Sequence, residues 1–133
     1  MFSKYSNSFL KDFDINKILS GVAVKEFVPF EYPDLICEEN SKIGCIFLIL
    51  SGKVEMKKFY NGRNETFGCM GPGDFIGIED ALTGESYNKS VYALEKTDTI
   101  SVKKNDFLDF TKYDDKFRLW ILKYLSNRIS ALP

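Results

Sequence analysis

The sequence predicts a mainly β fold, a double-stranded jelly roll or β-roll of about eight strands, with helices confined to its two ends. Three observations lead there. Short β-branched and aromatic runs recur at close spacing, Gly, Pro and Asn-Gly signals separate them, and helical periodicity is found only near the termini. The 133 residues, 44% hydrophobic and 15% aromatic, suit one domain with a full core. Its parts are a short N-terminal helix over 8–20, the β-roll over 22–103 and C-terminal helices over 105–130.

Ser8 to Ser20 spaces Phe9, Leu10, Phe13, Ile18 and Leu19 helically, with Ser8 as cap and Gly21 as stop. Val22 to Val28 reads as a strand, Pro29 and Pro33 mark the turns after it, and Leu35-Ile36-Cys37 forms the next strand. Cys45 to Leu50 is a continuous apolar run too short for most helices, so it predicts a strand buried on both faces. Ser51-Gly52 turns it into Lys53 to Tyr60, a half-exposed strand. Asn61-Gly62 then predicts a type I′ hairpin, with Glu65 to Met70 as the returning partner.

The stretch from Met70 to Ala93 organises the rest. Gly71-Pro72-Gly73-Asp74 is a tight-turn signal, because Pro presets one dihedral, Gly accepts positive φ and Asp bonds its own backbone. Phe75 and Ile76 enter the core, and at Gly77 the chain bends or lets another group approach. Ile78 to Leu82 makes about one helical turn, ended by Thr83-Gly84, and Tyr87 to Ala93 resumes a strand. A strand, a glycine, one turn with free N–H groups and a return strand together make a pocket able to hold an anion.

Asp98 to Lys103 is a strand with Ile100 and Val102 inward, and Asn105 or Asp106 caps a short helix carrying Phe107, Leu108 and Phe110. The last segment, Asp115 to Ser130, is the strongest helix. Asp114 and Asp115 at its start and Lys123 and Arg128 toward its end all suit the macrodipole. Phe117, Trp120, Ile121, Tyr124 and Leu125 form one stripe, while Leu119 and Leu122 are apolar on another side.

Composition removes several function classes. The net charge of −1, from 18 basic and 19 acidic residues, gives no electrostatic footprint for nucleic acid or an anionic membrane. No apolar run is long enough to span a bilayer, and the N-terminus lacks the form of a signal peptide, so a cytoplasmic location is expected. Histidine is absent, which removes the commonest metal ligand and general base and argues against a cupin-type metalloenzyme. No catalytic motif is present, and a non-enzyme is expected. Cys37, Cys45 and Cys69 lack CxxC spacing and read as reduced strand residues.

Ile46-Phe47-Leu48-Ile49-Leu50-Ser51-Gly52-Lys53-Val54, Gly71-Pro72-Gly73-Asp74-Phe75-Ile76-Gly77, Ala93-Leu94-Glu95-Lys96-Thr97 and Asp106-Phe107 occur in an order that resembles the cyclic-nucleotide-binding domain. The likeness covers about residues 20 to 130 and is nearest to the sensor half of Crp/Fnr-type bacterial transcription regulators. It implies a ligand-sensing, dimerising regulatory domain with a small effector near Phe67, Met70, Gly77, Ile78, Glu79, Asp80, Lys89 and Ser90. No cofactor is implied beyond a cyclic nucleotide as the alternative ligand.

The pattern departs from the family at the site. Family members that bind cyclic nucleotides carry a glutamate after the cassette glycine, for the ribose, and an arginine for the phosphate. Here Ile78 takes the glutamate position and Lys89 the arginine position, and lysine lacks the planar fork that grips phosphate in two places. Glu79 and Asp80 put two carboxylates where they can fill or repel from the anion position. Phe67 and Met70 align with positions that flank the nucleotide, and read equally well as core. A different small ligand, or a pocket filled by the chain itself, therefore stands beside the nucleotide reading.

In the resembled regulators the last helix makes a homodimer, which implies that role for Phe117, Trp120, Ile121, Tyr124 and Leu125. Those regulators continue into a winged helix-turn-helix. This sequence stops at Pro133, so direct nucleic-acid binding by these residues is not expected.

Overall fold

The structure, a computed structural model, describes residues 25–130. The expected N-terminal helix over 8–20 and the start of the strand at 22 lie outside the described residues. Eight strands form two four-stranded antiparallel sheets. They are β1 (Glu26–Phe30), β2 (Leu35–Cys37), β3 (Cys45–Ser51), β4 (Val54–Tyr60), β5 (Arg63–Met70), β6 (Phe75–Ile76), β7 (Ser90–Ala93) and β8 (Thr97–Lys103). One sheet runs β1-β8-β3-β6 and the other β2-β7-β4-β5. Helix α1 (Ile78–Thr83) interrupts the roll, and α2 (Lys104–Tyr113) and α3 (Asp115–Ser130) follow it.

Ile46, Leu48 and Ile49 of one sheet and Val54, Met56 and Val91 of the other belong to one buried cluster. Phe107 of α2 and Phe117, Trp120, Ile121 and Tyr124 of α3 complete it. α3 thus closes the roll, its Trp120 ring edge-on to Phe75 at 5.4 Å.

Most turn chemistry is as the sequence predicts. Asn61 and Gly62 both have positive φ, 51° and 82°, as a type I′ turn requires. The Asp74 carboxylate is buried and accepts from the Gly71 amide at 2.9 Å, while Gly73 and Asp74 exchange backbone bonds with Ile49. Asp114 caps α3, its Oδ1 accepting from the Phe117 amide at 2.8 Å.

Five local expectations are corrected. β3 is not buried on both faces: Leu50 is exposed where the register with β8 shifts, and Phe47 is half-buried against the Phe30 ring. Pro29 lies within β1 rather than in a turn, which an edge strand tolerates because no neighbour needs its missing donor. In β8 the fully buried residues are Thr97 and Thr99, with Val102 buried but Ile100 half-buried. Their hydroxyls donate to the carbonyls of Glu95 and Val28, which makes an inward threonine face admissible. Tyr87 is not in a strand, because its backbone pairs with Asn40 and Ser41 of the β2–β3 loop and β7 begins at Ser90. α2 starts at Lys104, and neither Asn105 nor Asp106 caps it, because Lys103 takes the cap position and the Gly44 carbonyl accepts from the Lys104 amide at 3.0 Å.

The tightest backbone point is Gly52, with φ +100°, where an added Cβ would lie 2.5 Å from both the Lys96 carbonyl oxygen and Thr97 Oγ1. Gly52→Ala is expected to cost at least about 2 kcal/mol, from left-handed strain plus steric displacement of the Lys96–Thr97 backbone packed against it. Urea denaturation with an unchanged m-value checks it.

Candidate functional site

Gly77 is the hinge of the cassette. It sits at the N-cap of α1 with φ 99°, and a Cβ there would meet Ile46 Cδ1 and Tyr87 Cε1 at 3.3 Å. This left-handed residue sends Ile78 into the core, where it is fully buried, and turns Glu79 and Asp80 to different surroundings. The two carboxylates of the first turn do not act together.

Asp80 points inward. Its side chain is 1% exposed and that of Lys89 is 8%, and Lys89 Nζ lies 3.4 Å from Asp80 Oδ2. The same ammonium is 3.3 Å from Asn88 Oδ1. Asp80 Oδ1 is buried with no hydrogen-bond partner. Next to Lys89, Ser90 is buried and its Oγ accepts from the Glu39 amide at 2.9 Å. Cys37 on β2 closes this side, its thiol 3.8 Å from the Lys89 carbonyl. Burial pushes that thiol up to about 12, with Lys89 working against the shift and Asp80 adding to it. Tyr87, whose hydroxyl donates to the Cys45 carbonyl at 2.6 Å, is likewise pushed up to about 12, chiefly by burial.

Glu79 points the other way, toward α3. Its carboxylate meets Arg128 Nε at 3.3 Å, and Arg128 Nη1 donates to the Tyr124 hydroxyl at 2.8 Å. That hydroxyl also accepts from the Phe75 amide at 2.9 Å, and Arg128 reaches the Met70 sulfur at 3.8 Å. Burial opposes charge on Arg128, but Tyr124 and Glu79 outweigh it and hold the guanidinium above its ordinary value.

The structure therefore divides the predicted site residues. Asp80 and Lys89 form one buried polar pair with Ser90 next in sequence, while Glu79 and Met70 belong to a second cluster on Arg128. Ile78 is core. Phe67 is 55% exposed on the outer half of β5 and joins neither. Arg128, Asn88 and Cys37 carry contacts that the sequence reading did not assign to the site. The Tyr124–Arg128 spacing of four on one helix was the available signal for the first.

The stripe expected to form a dimer is used within the chain. Phe117, Trp120, Ile121 and Tyr124 are buried and Leu125 is half-buried, because α3 lays them on Phe75, Phe107 and the roll. The apolar residues of α3 left outside are Leu119, 54% exposed, and Leu122, 60% exposed. A surface concavity of about 490 Å3, lined by residues including Lys42, Gly44, Glu85 and Lys104, does not include Asp80 or Lys89. There Lys104 Nζ meets Glu85 at 2.8 Å and lowers its pKa.

The sequence profile of the cyclic nucleotide-binding domain family matches residues 27–114, a span that holds the cassette, Asp80 and Lys89 but stops short of Tyr124 and Arg128. The chain belongs to this family. As a cyclic nucleotide-binding domain it has close structural counterparts. It superposes on the Thermus thermophilus catabolite activator protein with a TM-score of 0.75 at 17% identity, over 92% of this chain and 58% of that one. The sensor domain of the transcriptional regulator DNR from Pseudomonas aeruginosa gives 0.71 at 13% identity, over 97% of this chain and 94% of that one. The regulatory domain of Toxoplasma gondii PKA, solved with cAMP, gives 0.67 at 19% identity, over 81% of this chain and 42% of that one. The chain thus spans well under two-thirds of the Thermus protein's length. No curated protein sequence matches it. Among the described residues no helix is long and apolar enough to cross a membrane.

Two outcomes are expected of the Asp80–Lys89 cluster. Lys89→Met leaves a buried carboxylate without its cation and should cost about 3 kcal/mol in urea denaturation. Adding Asp80→Asn to that variant should restore most of the loss, as a double-mutant cycle will show. Cys37 and Tyr87 both have raised values, so their contribution is complete below the unfolded values of 9.0 and 10.0 and is lost as pH climbs toward about 12. Stability should therefore fall by about 1.4 kcal/mol per pH unit above pH 9 for Cys37, and Cys37→Ala should flatten that slope.

Proposed function

We propose that this domain is a non-catalytic, ligand-sensing regulatory module of the Crp/Fnr type, cytoplasmic and homodimeric through α3. A small effector binds where Gly77, α1 and Lys89 meet, and its presence biases the packing of α3. The observation that carries this reading is the Glu79–Arg128 bridge. With Tyr124 and Phe75, it joins the cassette directly to the helix that carries the free apolar residues Leu119 and Leu122. A ligand that moves α1 acts on α3 through bonds already formed, so both sites bias one element.

A second reading takes the family at its name, with a cyclic nucleotide as the effector. The buried ammonium of Lys89 favours it, since a cyclic phosphate needs a cation in the cassette.

Light scattering after size exclusion tests the assembly. The wild-type protein should elute with twice the chain mass. Leu119→Asp combined with Leu122→Asp should halve the mass with unchanged circular dichroism, because both side chains are exposed in the single chain. A wild-type particle of one chain at all concentrations would remove the dimer reading.

A further inference from the structure

A cyclic nucleotide presents a phosphodiester with one negative charge, and burying that charge requires a cation free to pair with it. In the cassette the buried cation is Lys89, and its ammonium faces a carboxylate of its own chain. Asp80 is buried almost as deeply as Ile78 and sits on the short helix α1, so it does not reach water as an exposed side chain would. Its Oδ2 faces Lys89, and its Oδ1 is buried with its lone pairs unmatched. The buried polar group of the cassette is therefore an ion pair whose anionic member holds unspent accepting capacity. A phosphate brought there would meet Asp80 at close range in a poorly screened interior, and two anions sharing such a site repel strongly.

We infer that Asp80 is an internal counter-ion that occupies the anion position of this pocket and sets its ligand specificity, excluding phosphodiesters and selecting an effector without a phosphate at this point. This rests on the ligand-sensing reading and sharpens it. Asp80 and Lys89 pack in the fold as a charge-neutral couple, and the effector works around that couple rather than through it. Asn88 supports the arrangement, since its Oδ1 gives Lys89 a second acceptor and leaves the ammonium still less available.

Removing one charge tests this. Isothermal titration with cAMP, cGMP and inorganic phosphate at millimolar concentration should show no binding to the wild-type domain. Asp80→Asn keeps the side-chain volume and frees Lys89, so its affinity for both cyclic nucleotides should rise at least about tenfold over wild type. The gain should vanish in Asp80→Asn combined with Lys89→Met. Asp80→Ser serves where the asparagine variant does not fold, and circular dichroism establishes folding in each. Micromolar binding of a cyclic nucleotide by the wild type would overturn the inference, and so would a folded Asp80 variant with no gain. Either result leaves the sensor reading intact, because that reading is decided by the assembly of α3 and not by which ligand enters.

Discussion

The Tyr124 hydroxyl stands where three parts of the chain meet. It accepts from the Phe75 amide at the start of β6, accepts from Arg128 one turn along its own helix, and is fully buried between them. A buried phenol is tolerable only with its oxygen satisfied, and here two donors do so. Burial, outweighing the nearby guanidinium, keeps that phenol protonated far above neutral pH. Because one of the donors is a strand amide, α3 cannot leave the roll without orphaning backbone in β6. Its ring also contacts Phe75 and Trp120, so the polar tie and the aromatic stack share one residue.

From this tie the remainder follows in order. α3 is fixed, Arg128 is thereby aimed at Glu79, and Glu79 is held on the outer side of α1. With Glu79 turned outward, the next residue of a six-residue helix turns inward, and Asp80 arrives at Lys89. Two adjacent carboxylates thus acquire opposite duties from one backbone constraint, the left-handed Gly77. The family fold is kept while the chemistry at its centre is exchanged for a pair internal to the chain.

The succession of strands along the chain, the hairpin, the Gly71–Asp74 turn and the two C-terminal helices were legible because each rests on local signals: periodicity, Asn-Gly, Gly-Pro-Gly-Asp, and acidic residues at a helix start. The failures came where a contact distant in sequence decides. Thr99 lies inward on β8 because the Val28 carbonyl, far along the chain, accepts from it, and the aromatic stripe of α3 reads as a dimer surface because nothing local says which of its two apolar sides meets the roll. The site was legible to the level of Lys89 and the two carboxylates. Which carboxylate pairs with which base depends on the rotation of α1 after Gly77, and residue types alone do not carry that angle.

Glu39 joins the pocket to a different edge of the molecule. Its amide donates to Ser90, beside Lys89, while its carboxylate accepts from the Phe59 amide near the tip of the β4–β5 hairpin, where Phe59 and Tyr60 stand exposed. One residue therefore spans from Ser90, the first residue of β7 and the neighbour of Lys89, to an aromatic tip on the outside. The first residue of β7 and the hairpin tip are thus tied through a single side chain and its own backbone, a connection that does not pass through α3.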